Sequence, residues 1–422
     1  MKVHAFEGPA GCGKTFQLLE QLKAHLSQNP LKENQKILSL TFMHGSRRRL
    51  SERLSRIMEL RKRFDCATID SFAYMLCRRW RSLSKAIGIL PCDTEDYDKQ
   101  CENAALLLKY EFVRKWVKSS FPIVVLDEAQ DLSPHRLAII QQLQLELTIL
   151  VAADEFQCLA EELQPNPFLT WLPSVCVSNI LTIPRRTNVA ELLKAANDLR
   201  DGKPPSGASK NFKIQLAPSA PLAAAYAQNA IGWNKGNSFA LITPSFKGGF
   251  AKEVIEKIGL KASRQGNGPY AFAIERSEED LIKEIFYNKV KNSVYSISEA
   301  KTLIKELQLY PYTETLVISW IIKQHTLSGL TQISREELEV AVIRAARIYK
   351  QHAGLIRNRY LALSVHQAKN REFDGVLVIW PHTAAGSEEH KRRLLYNAIT
   401  RAKIWCVVLV QSKALTEKSP FV

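Results

Sequence analysis

The residues with the clearest capacity for chemistry lie near the start of the chain, in a glycine-rich stretch at residues 8–15. An apolar run precedes it and apolar side chains at helical spacing follow, which predicts a strand, a loop and a helix. Glycines let backbone N–H groups converge on phosphate oxygens, and the helix N-terminus adds positive charge. The predicted phosphate site comprises Gly8, Pro9, Ala10, Gly11, Cys12, Gly13, Lys14 and Thr15. Lys14 should contact the β- and γ-phosphates of a nucleotide, and Thr15 should ligate Mg²⁺.

A second chemical candidate is the carboxylate pair Asp127 and Glu128, which follows the apolar run at residues 122–126. That run is typical of a buried strand in a parallel sheet. In α/β sheets, ligands bind at the carboxyl ends of such strands. One carboxylate can hold a metal ion while the other orients the attacking water. The alternative interpretation of this pair is that Asp127 is a helix N-cap and Glu128 is an acidic residue in the first turn of that helix.

Strands that alternate with helices must position these residues, and the alternation occurs twice along the chain. The sequence therefore predicts an α/β protein with two α/β layers. Further strands are predicted at residues 36–41, 147–152, 239–243, 361–365, 376–379 and 406–410, with helices at 189–199 and 394–402.

Composition indicates a polyanionic partner. The chain has 422 residues, a net charge of +16 and 46% hydrophobic residues, and the sequence pI is about 9.4. Such a charge favours nucleic acid or an anionic surface. No apolar run approaches the length of a membrane span, and no signal peptide is recognised. The eight cysteines form no C-x-x-C pair, so we expect no zinc or disulfide framework and a cytoplasmic location.

A strongly basic segment follows the strand at residues 36–41, and we predict it as one helix with an apolar stripe at Leu50, Leu54, Ile57 and Leu60. Its cations are Arg47, Arg48, Arg49, Arg53, Arg56, Arg61, Lys62 and Arg63. Only Glu52 and Glu59 oppose them. This imbalance favours contacts with nucleic-acid phosphates over a merely solvated face.

The order of the motifs resembles that of UvrD/Rep/PcrA-type helicases of superfamily one. Residues 8–15 are similar to the family's Walker A motif, and residues 127–131 to its Walker B box in the DEAQD form. Residues 181–187 resemble the arginine motif, residues 366–374 the H-x-A-K-G-x-E-F-D motif, and residues 395–402 the L-Y-V-A-x-T-R-A motif. The resemblance implies a P-loop NTPase with two RecA-like parallel-sheet domains, short helical insertions, and ATP in the cleft between the domains.

The resemblance implies boundaries for these domains. The first core domain would span residues 1–180, with a helical insertion at about 70–120. The second would combine residues 181–274 and 359–422. Residues 275–358 would form a helical accessory insertion.

The resemblance also implies roles around ATP and Mg²⁺. Asp127 would hold Mg²⁺ with Thr15, and Glu128 would activate water. Gln157, which follows Asp154 in a coupling motif, would sense the γ-phosphate.

Residues of the second core domain would complete the site. Arg186 and Arg401 would act on the triphosphate, and Glu372 would contact the ribose. Arg185 stands where the family has an aromatic residue, and a guanidinium can also stack on a base.

Other motif residues would contact nucleic acid by the same resemblance, with Phe42 as a base-stacking aromatic. This predicted set comprises Thr41, Phe42, Arg49, Arg53, Thr68, Ser71, His366 and Lys369.

The sequence departs from the family pattern at several points. The adenine-reading glutamine upstream of Walker A is not present, and the aromatic residues after Gln157 are replaced, which leaves Phe156 as an alternative stacking residue. Asn370 replaces a glycine. Asparagine is the best substitute if this position needs a positive φ.

These features predict an ATP-dependent DNA helicase or translocase that moves three-prime to five-prime on single-stranded or partly duplex DNA. A second interpretation is a DNA-stimulated ATPase that senses or remodels with a partner, such as a nuclease, and unwinds little alone. A third is an RNA helicase. A protein partner in DNA repair, replication or defence is compatible with the first two, and no membrane association is expected.

Overall fold

The computed structural model describes residues 2–41, 44–89, 96–275, 278–352 and 359–422. The chain divides into two compact units. The first unit joins Met1–Ala273 to Arg359–Val422, and the second is Ile274–Asn358.

In the part of the chain that the structure describes, the strands belong to two large sheets and one small two-stranded sheet. In chain order they are β1 Val3–Glu7, β2 Ile37–Thr41, β3 Phe64–Thr68, β4 Ile123–Leu126, β5 Thr148–Ala153, β6 Asn179–Ile180, β7 Phe212–Leu216, β8 Phe239–Thr243, β9 Ala273–Ile274, β10 Val294–Ser296, β11 Gln332–Ser334, β12 Tyr360–Ser364, β13 Phe373–Trp380 and β14 Ala402–Val410.

Helices connect the strands. The α-helices are α1 Lys14–Gln28, α2 His44–Leu54, α3 Ile69–Arg79, α4 Arg81–Ala86, α5 Tyr97–Leu108, α6 Glu111–Ser120, α7 Pro134–Leu143, α8 Pro167–Trp171, α9 Ala190–Arg200, α10 Ala220–Trp233, α11 Phe250–Leu260, α12 Glu278–Lys289, α13 Ile297–Glu306, α14 Pro311–Ser328, α15 Arg335–His352, α16 Val365–Ala368, α17 Glu388–Ile399 and α18 Lys413–Thr416. Short 3₁₀ helices are Met58–Leu60, Ala129–Asp131, Glu155–Gln157, Glu161–Leu163 and Leu172–Ser174.

The first sheet is parallel, with the strand order β3-β2-β4-β5-β1-β6. Its two faces pack into different hydrophobic clusters, because side chains alternate along each strand. Val124 and Leu126 of β4 enter one cluster, and Ile123 and Val125 enter the other. Burial on both faces explains the uninterrupted apolar run that the sequence shows.

This strand order brings the predicted chemistry together. Strands β4, β5 and β1 are neighbours, and parallel strands end at the same edge of a sheet. Lys14 follows β1, Asp127 follows β4 and Asp154 follows β5. These three side chains therefore meet at one edge, as ligand sites in α/β sheets do.

The second sheet has the order β7-β14-β13-β8-β12-β9, and the pairs among its five longer strands are parallel. Its core includes fully buried side chains of Trp380 and Tyr396. Two parallel sheets with helical connections confirm the predicted fold class of two RecA-like α/β layers.

Unit Ile274–Asn358 is mainly helical and contains a two-fold repeat that apolar periodicity did not reveal. Helix, short strand and helix occur twice, and β10 pairs antiparallel with β11. In each repeat, the second helix begins with a pair of reciprocal hydrogen bonds between a serine and a glutamate. Ser296 and Glu299 exchange bonds of 2.8 and 3.3 Å, and Ser334 and Glu337 exchange bonds of 2.9 and 3.1 Å. These capping boxes fix where α13 and α15 start.

The basic segment differs from its prediction as a single helix. The apolar stripe is buried at Leu50, Leu54, Ile57 and Leu60 as predicted. However, α2 ends at Leu54, and Ile57 has an extended backbone before a short 3₁₀ turn. The chain thereby turns towards the edge strand β3. The sequence did not suggest this strand, because Phe64–Thr68 is not a continuous apolar run and four of its five side chains are only partly buried.

Candidate nucleotide site and nucleic-acid residues

The glycine-rich loop has the backbone that phosphate binding requires. Gly11 and Gly13 have φ angles of 81° and 86°, which glycine adopts without steric cost. A Cβ atom on Gly11 would lie 2.8 Å from Cβ of Arg186, and one on Gly13 would lie 2.7 Å from Cδ of Arg185. The glycines therefore also allow the chain after the first sheet to approach the loop.

Lys14 lies inside this loop. Its Nζ donates to the carbonyl oxygens of Gly8 at 2.7 Å and Pro9 at 3.0 Å. The same atom lies 3.7 Å from Oδ2 of Asp154, and the side chain is 8% exposed. The ammonium group is thus held at the start of α1, where it can exchange carbonyl partners for phosphate oxygens.

Thr15 and Asp127 offer a pair of oxygen ligands. Oγ1 of Thr15 donates to Oδ2 of Asp127 at 2.9 Å. Burial, together with the negative charge of Glu128, raises the pKa of Asp127 to about 6. A divalent cation at this point would offset that unfavourable charge, and hydroxyl and carboxylate oxygens suit Mg²⁺. The residues therefore fit the metal that the sequence predicts.

Glu128 is held in an unusual backbone conformation, with a φ of 62°. Its Oε2 accepts a hydrogen bond of 2.6 Å from Nε2 of Gln130. Oε1 of this buried glutamine accepts the backbone N–H of Asp154 at 2.9 Å. Gln130 thus links the Walker B carboxylate to the end of β5, and positive φ at an acidic residue is typical of functional strain.

Asp154 is the most heavily bonded carboxylate at this edge. Nε2 of Gln157 donates to its Oδ2 at 2.8 Å, and Nη1 of Arg200 donates to its Oδ1 at 2.7 Å. Burial opposes ionisation, but the charges of Lys14 and Arg200 outweigh it and lower the pKa of Asp154. Asp154 therefore remains an anion and orients Gln157.

Two arginines from the part of the chain that follows the first sheet lie at this edge. Nε of Arg186 donates to Oε1 of Glu372 at 2.8 Å. Nη2 of Arg401 donates to Oε1 of Gln157 at 3.1 Å, while its buried Nη1 has no hydrogen-bond partner among the described residues. Burial and the charge of Arg186 lower the pKa of Arg401 to about 9. An anion with several oxygens, such as a triphosphate, would satisfy this group.

The predicted helix at 394–402 is too long, and Arg401 lies outside the helix that the structure shows. Helix α17 ends at Ile399 and β14 begins at Ala402, so Arg401 lies in the turn between them. Its Nε donates to the carbonyl oxygen of Asn397 at 2.9 Å, which anchors the side chain beside the helix end.

Arg185 and Glu372 flank the same site. The guanidinium carbon of Arg185 lies 4.7 Å from the ring centre of Phe16, at the mouth of the glycine-rich loop. The carboxylate of Glu372 contacts Arg186 and also Lys403, at 3.4 Å. Burial opposes ionisation of Glu372, yet the charge of Arg186 outweighs it and lowers its pKa.

The predicted nucleic-acid residues are distributed over several elements. Thr41 ends β2 and is fully buried, and Phe42 lies outside the described residues. Thr68 caps α3, and its Oγ1 accepts the N–H of Ser71 at 3.1 Å. Arg53 is exposed. Contacts between these residues and nucleic acid therefore remain a prediction.

Arg49, His366 and Lys369 have separate surroundings. Burial and the positive charge of nearby Arg371 lower the pKa of Arg49 to about 10. His366 is exposed. Nζ of Lys369 donates to both carboxylate oxygens of Asp131, at 2.8 and 2.9 Å, so it ties its motif to the DEAQD segment.

Asn370 confirms the backbone conformation expected from its sequence. Its φ is 61°, the left-handed region in which asparagine is the most tolerated residue after glycine.

Sequence reasoning missed three side chains of this region. Arg200 ends α9 and binds Asp154, and the hydroxyl of Tyr396 accepts the N–H of Ala10 at 2.7 Å. Arg393 donates from Nη1 to the carbonyl oxygen of Glu155 at 2.6 Å. The one available signal is that Arg393, Tyr396 and Asn397 share a helical face that is polar yet buried.

Phe156 is surrounded by these residues. Its ring meets that of Tyr396 edge-on at 5.0 Å, and the guanidinium carbons of Arg200 and Arg393 lie 5.5 and 5.4 Å from its centre. The alternative stacking role of Phe156 on DNA remains a prediction.

Two protein-family models match the chain. An AAA domain matches residues 1–161, and the UvrD-like helicase C-terminal domain matches residues 360–409. The matched segments contain the Walker motifs at one end and the H-x-A-K and Arg401 motifs at the other. The match at residues 360–409 to a UvrD-like helicase domain, together with the AAA match at residues 1–161, agrees with the resemblance to UvrD-like helicases that the motifs carry.

Solved structures of arterivirus nonstructural protein 10, a helicase, are also similar to the chain. The complex with DNA matches at 11% identity with a TM-score of 0.40, and covers 98% of this chain and 63% of that chain. A crystal structure of the same arterivirus protein matches at 11% identity with a TM-score of 0.41, and covers 99% of this chain and 62% of that chain. This chain thus spans less than two thirds of their length. No curated protein matches it.

Among the described residues, no helix is long and apolar enough to cross a membrane.

Proposed function

We propose that the protein is an ATP-dependent DNA helicase or translocase that couples ATP hydrolysis to movement on single-stranded DNA. The observation that carries this proposal is the contact between Arg401 and Gln157. It joins the end of β5 to the turn before β14, and one buried guanidinium nitrogen finds no partner in the part of the chain that the structure describes. A triphosphate bound at the glycine-rich loop would supply the missing acceptor and hold both elements.

Hydrolysis of ATP follows from the roles of the surrounding side chains. Lys14 and the loop N–H groups would hold the phosphates, and Thr15 and Asp127 would hold Mg²⁺, which would neutralise charge on the phosphates. Glu128 would accept the proton of the attacking water, since Gln130 fixes its carboxylate. Arg401 and Arg186 would stabilise the charge of the transition state.

Hydrolysis can drive movement because the edge of the first sheet that would bind the nucleotide also carries the contacts with the second core domain. Asp131 of the DEAQD segment pairs with Lys369, and Asp154 pairs with Arg200. A change in nucleotide state at Gln157 would therefore shift the second sheet relative to the first. The exposed basic residues after β2, and a net charge of +16, support nucleic acid as the track. The three-prime to five-prime direction rests on family resemblance alone, and the cytoplasmic location rests on the scattered cysteines.

The test is the ATPase rate with and without single-stranded DNA, with RNA of the same sequence in parallel. We expect strong stimulation by DNA and almost no turnover in Lys14→Ala. Strand displacement and translocation are then measured separately. Translocation without displacement would favour the remodelling ATPase, and stronger stimulation by RNA would favour the RNA helicase. Wild-type hydrolysis in Lys14→Ala would refute the assignment of the site.

A further inference from the structure

Asp154 lies between two cations that belong to different parts of the site. Its Oδ2 is 3.7 Å from Nζ of Lys14, and its Oδ1 is 2.7 Å from Nη1 of Arg200. The carboxylate side chain has no exposed surface. A buried carboxylate needs a compensating charge, so the two cations share the task of neutralising it.

Lys14 has a second task if the protein binds nucleotide at the glycine-rich loop, because its ammonium must then turn to the phosphates. Asp154 competes with the phosphates for that ammonium. Arg200 weakens the competition, since its guanidinium already pairs with Asp154.

We propose that Arg200 is a positioning residue of the nucleotide site, which pairs with Asp154 and thereby frees Lys14 for the phosphates of ATP. This inference rests on the proposed function. Arg200 ends α9, the helix that follows Arg186, so a single segment carries both arginines. Pairing of Arg200 with Asp154 then occurs when this segment docks on the end of β5.

The tyrosine on the neighbouring helix holds the same cluster together. Nη1 of Arg200 donates to the hydroxyl of Tyr396 at 3.2 Å, and this hydroxyl donates to Oδ2 of Asp154 at 3.3 Å. It also accepts the N–H of Ala10 in the glycine-rich loop. The aromatic rings of Phe156 and Tyr396 each lie 5.5 Å from the guanidinium carbon of Arg200. Arg200 is thus fixed where its charge acts on Asp154.

The test measures binding of a fluorescent ribose-labelled ATP with Mg²⁺ to the full chain. Arg200→Ala should weaken binding by about ten- to a hundredfold, because Asp154 then retains Lys14 as its one cation. Arg200→Ala combined with Asp154→Asn should regain most of the affinity, because the competing charge is gone. Lys194→Ala removes an exposed charge from the same helix and should bind like the wild type.

Arg200→Lys and Arg200→Gln keep the test decisive if the alanine variant does not fold. Lysine retains the charge and should bind within a few-fold of the wild type, whereas glutamine should bind as alanine does. Wild-type affinity in the alanine or glutamine variant would overturn the inference, as would a double variant no tighter than the single one. Hydrolysis by the wild type is measured separately. If the wild type binds but does not hydrolyse ATP, the proposed function fails while the binding series still decides the role of Arg200.

Discussion

Arg401 and Gln157 are 244 positions apart, yet Nη2 of the arginine lies 3.1 Å from Oε1 of the glutamine. Gln157 lies in the 3₁₀ helix that follows β5 of the first sheet, and Arg401 lies in the turn before β14 of the second sheet. Because the second guanidinium nitrogen, Nη1, is buried without a partner from the described ranges, this pair is suited to receive an anion. The contact makes the response of Arg401 to nucleotide the most direct test of the site.

Arg401→Lys should abolish DNA-stimulated hydrolysis and leave DNA binding without nucleotide nearly intact. Lysine lacks the planar fork that can hold Gln157 and a phosphate oxygen together, and such an arginine contributes about three to five powers of ten in turnover. Single-turnover ATPase and fluorescence anisotropy measure the two effects. Arg264→Lys changes an exposed arginine and serves as the control. Normal turnover in Arg401→Lys would exclude a catalytic role for this arginine.

Glu128→Gln should bind nucleotide but hydrolyse it at least about a hundredfold more slowly, because an amide cannot accept the proton of water. Asp127 and Thr15 would still be available to hold Mg²⁺ in this variant. Nucleotide binding and turnover are measured on the same preparation, with the exposed Glu256→Gln as control. Lost binding would mean that Glu128 serves the metal or the fold instead.

Replacing Arg53 and Arg56 by alanine should weaken binding to single-stranded DNA of every sequence. Both side chains are exposed, and each lost phosphate contact should reduce the log–log salt slope by about 0.7. Lys252→Ala with Lys257→Ala removes the same charge from α11 and should leave the slope unchanged. An equal slope in both double variants would show that the basic segment only contributes net charge.

Lys369→Met should lower the free energy of unfolding by about 3 kcal/mol, because Asp131 would remain buried without its partner. Adding Asp131→Asn should restore much of the loss. Urea denaturation measures both variants. A neutral effect of Lys369→Met would show that the ion pair is absent in solution and would leave Lys369 available for nucleic acid.

Asn370→Gly should be as stable as the wild type, whereas Asn370→Ala should lose about 1 kcal/mol, because alanine does not tolerate a φ of 61°. Urea denaturation measures this difference directly. Equal stability of both variants would contradict a left-handed conformation at this position.

Much of the geometry of the candidate nucleotide site could be predicted because its parts are local in sequence. The glycine-rich loop joins β1 directly to α1, so its backbone and the position of Lys14 follow from a few adjacent residues. Asp127 follows from the buried apolar strand before it, since the end of such a strand is a fixed place in an α/β fold. The φ of Asn370 could also be predicted, because it depends on one residue type in one motif position.

Only the tertiary structure decided the pairings between distant residues. Arg200 with Asp154, Tyr396 with Ala10 and Lys369 with Asp131 depend on which strand ends lie side by side, which no local pattern encodes. The end of α2 at Leu54 was likewise decided by packing, because Ile57 and Leu60 stay buried at helical spacing although the chain has left the helix. Apolar periodicity reports which side chains face the core, whereas the path of the backbone between them depends on the elements against which they pack.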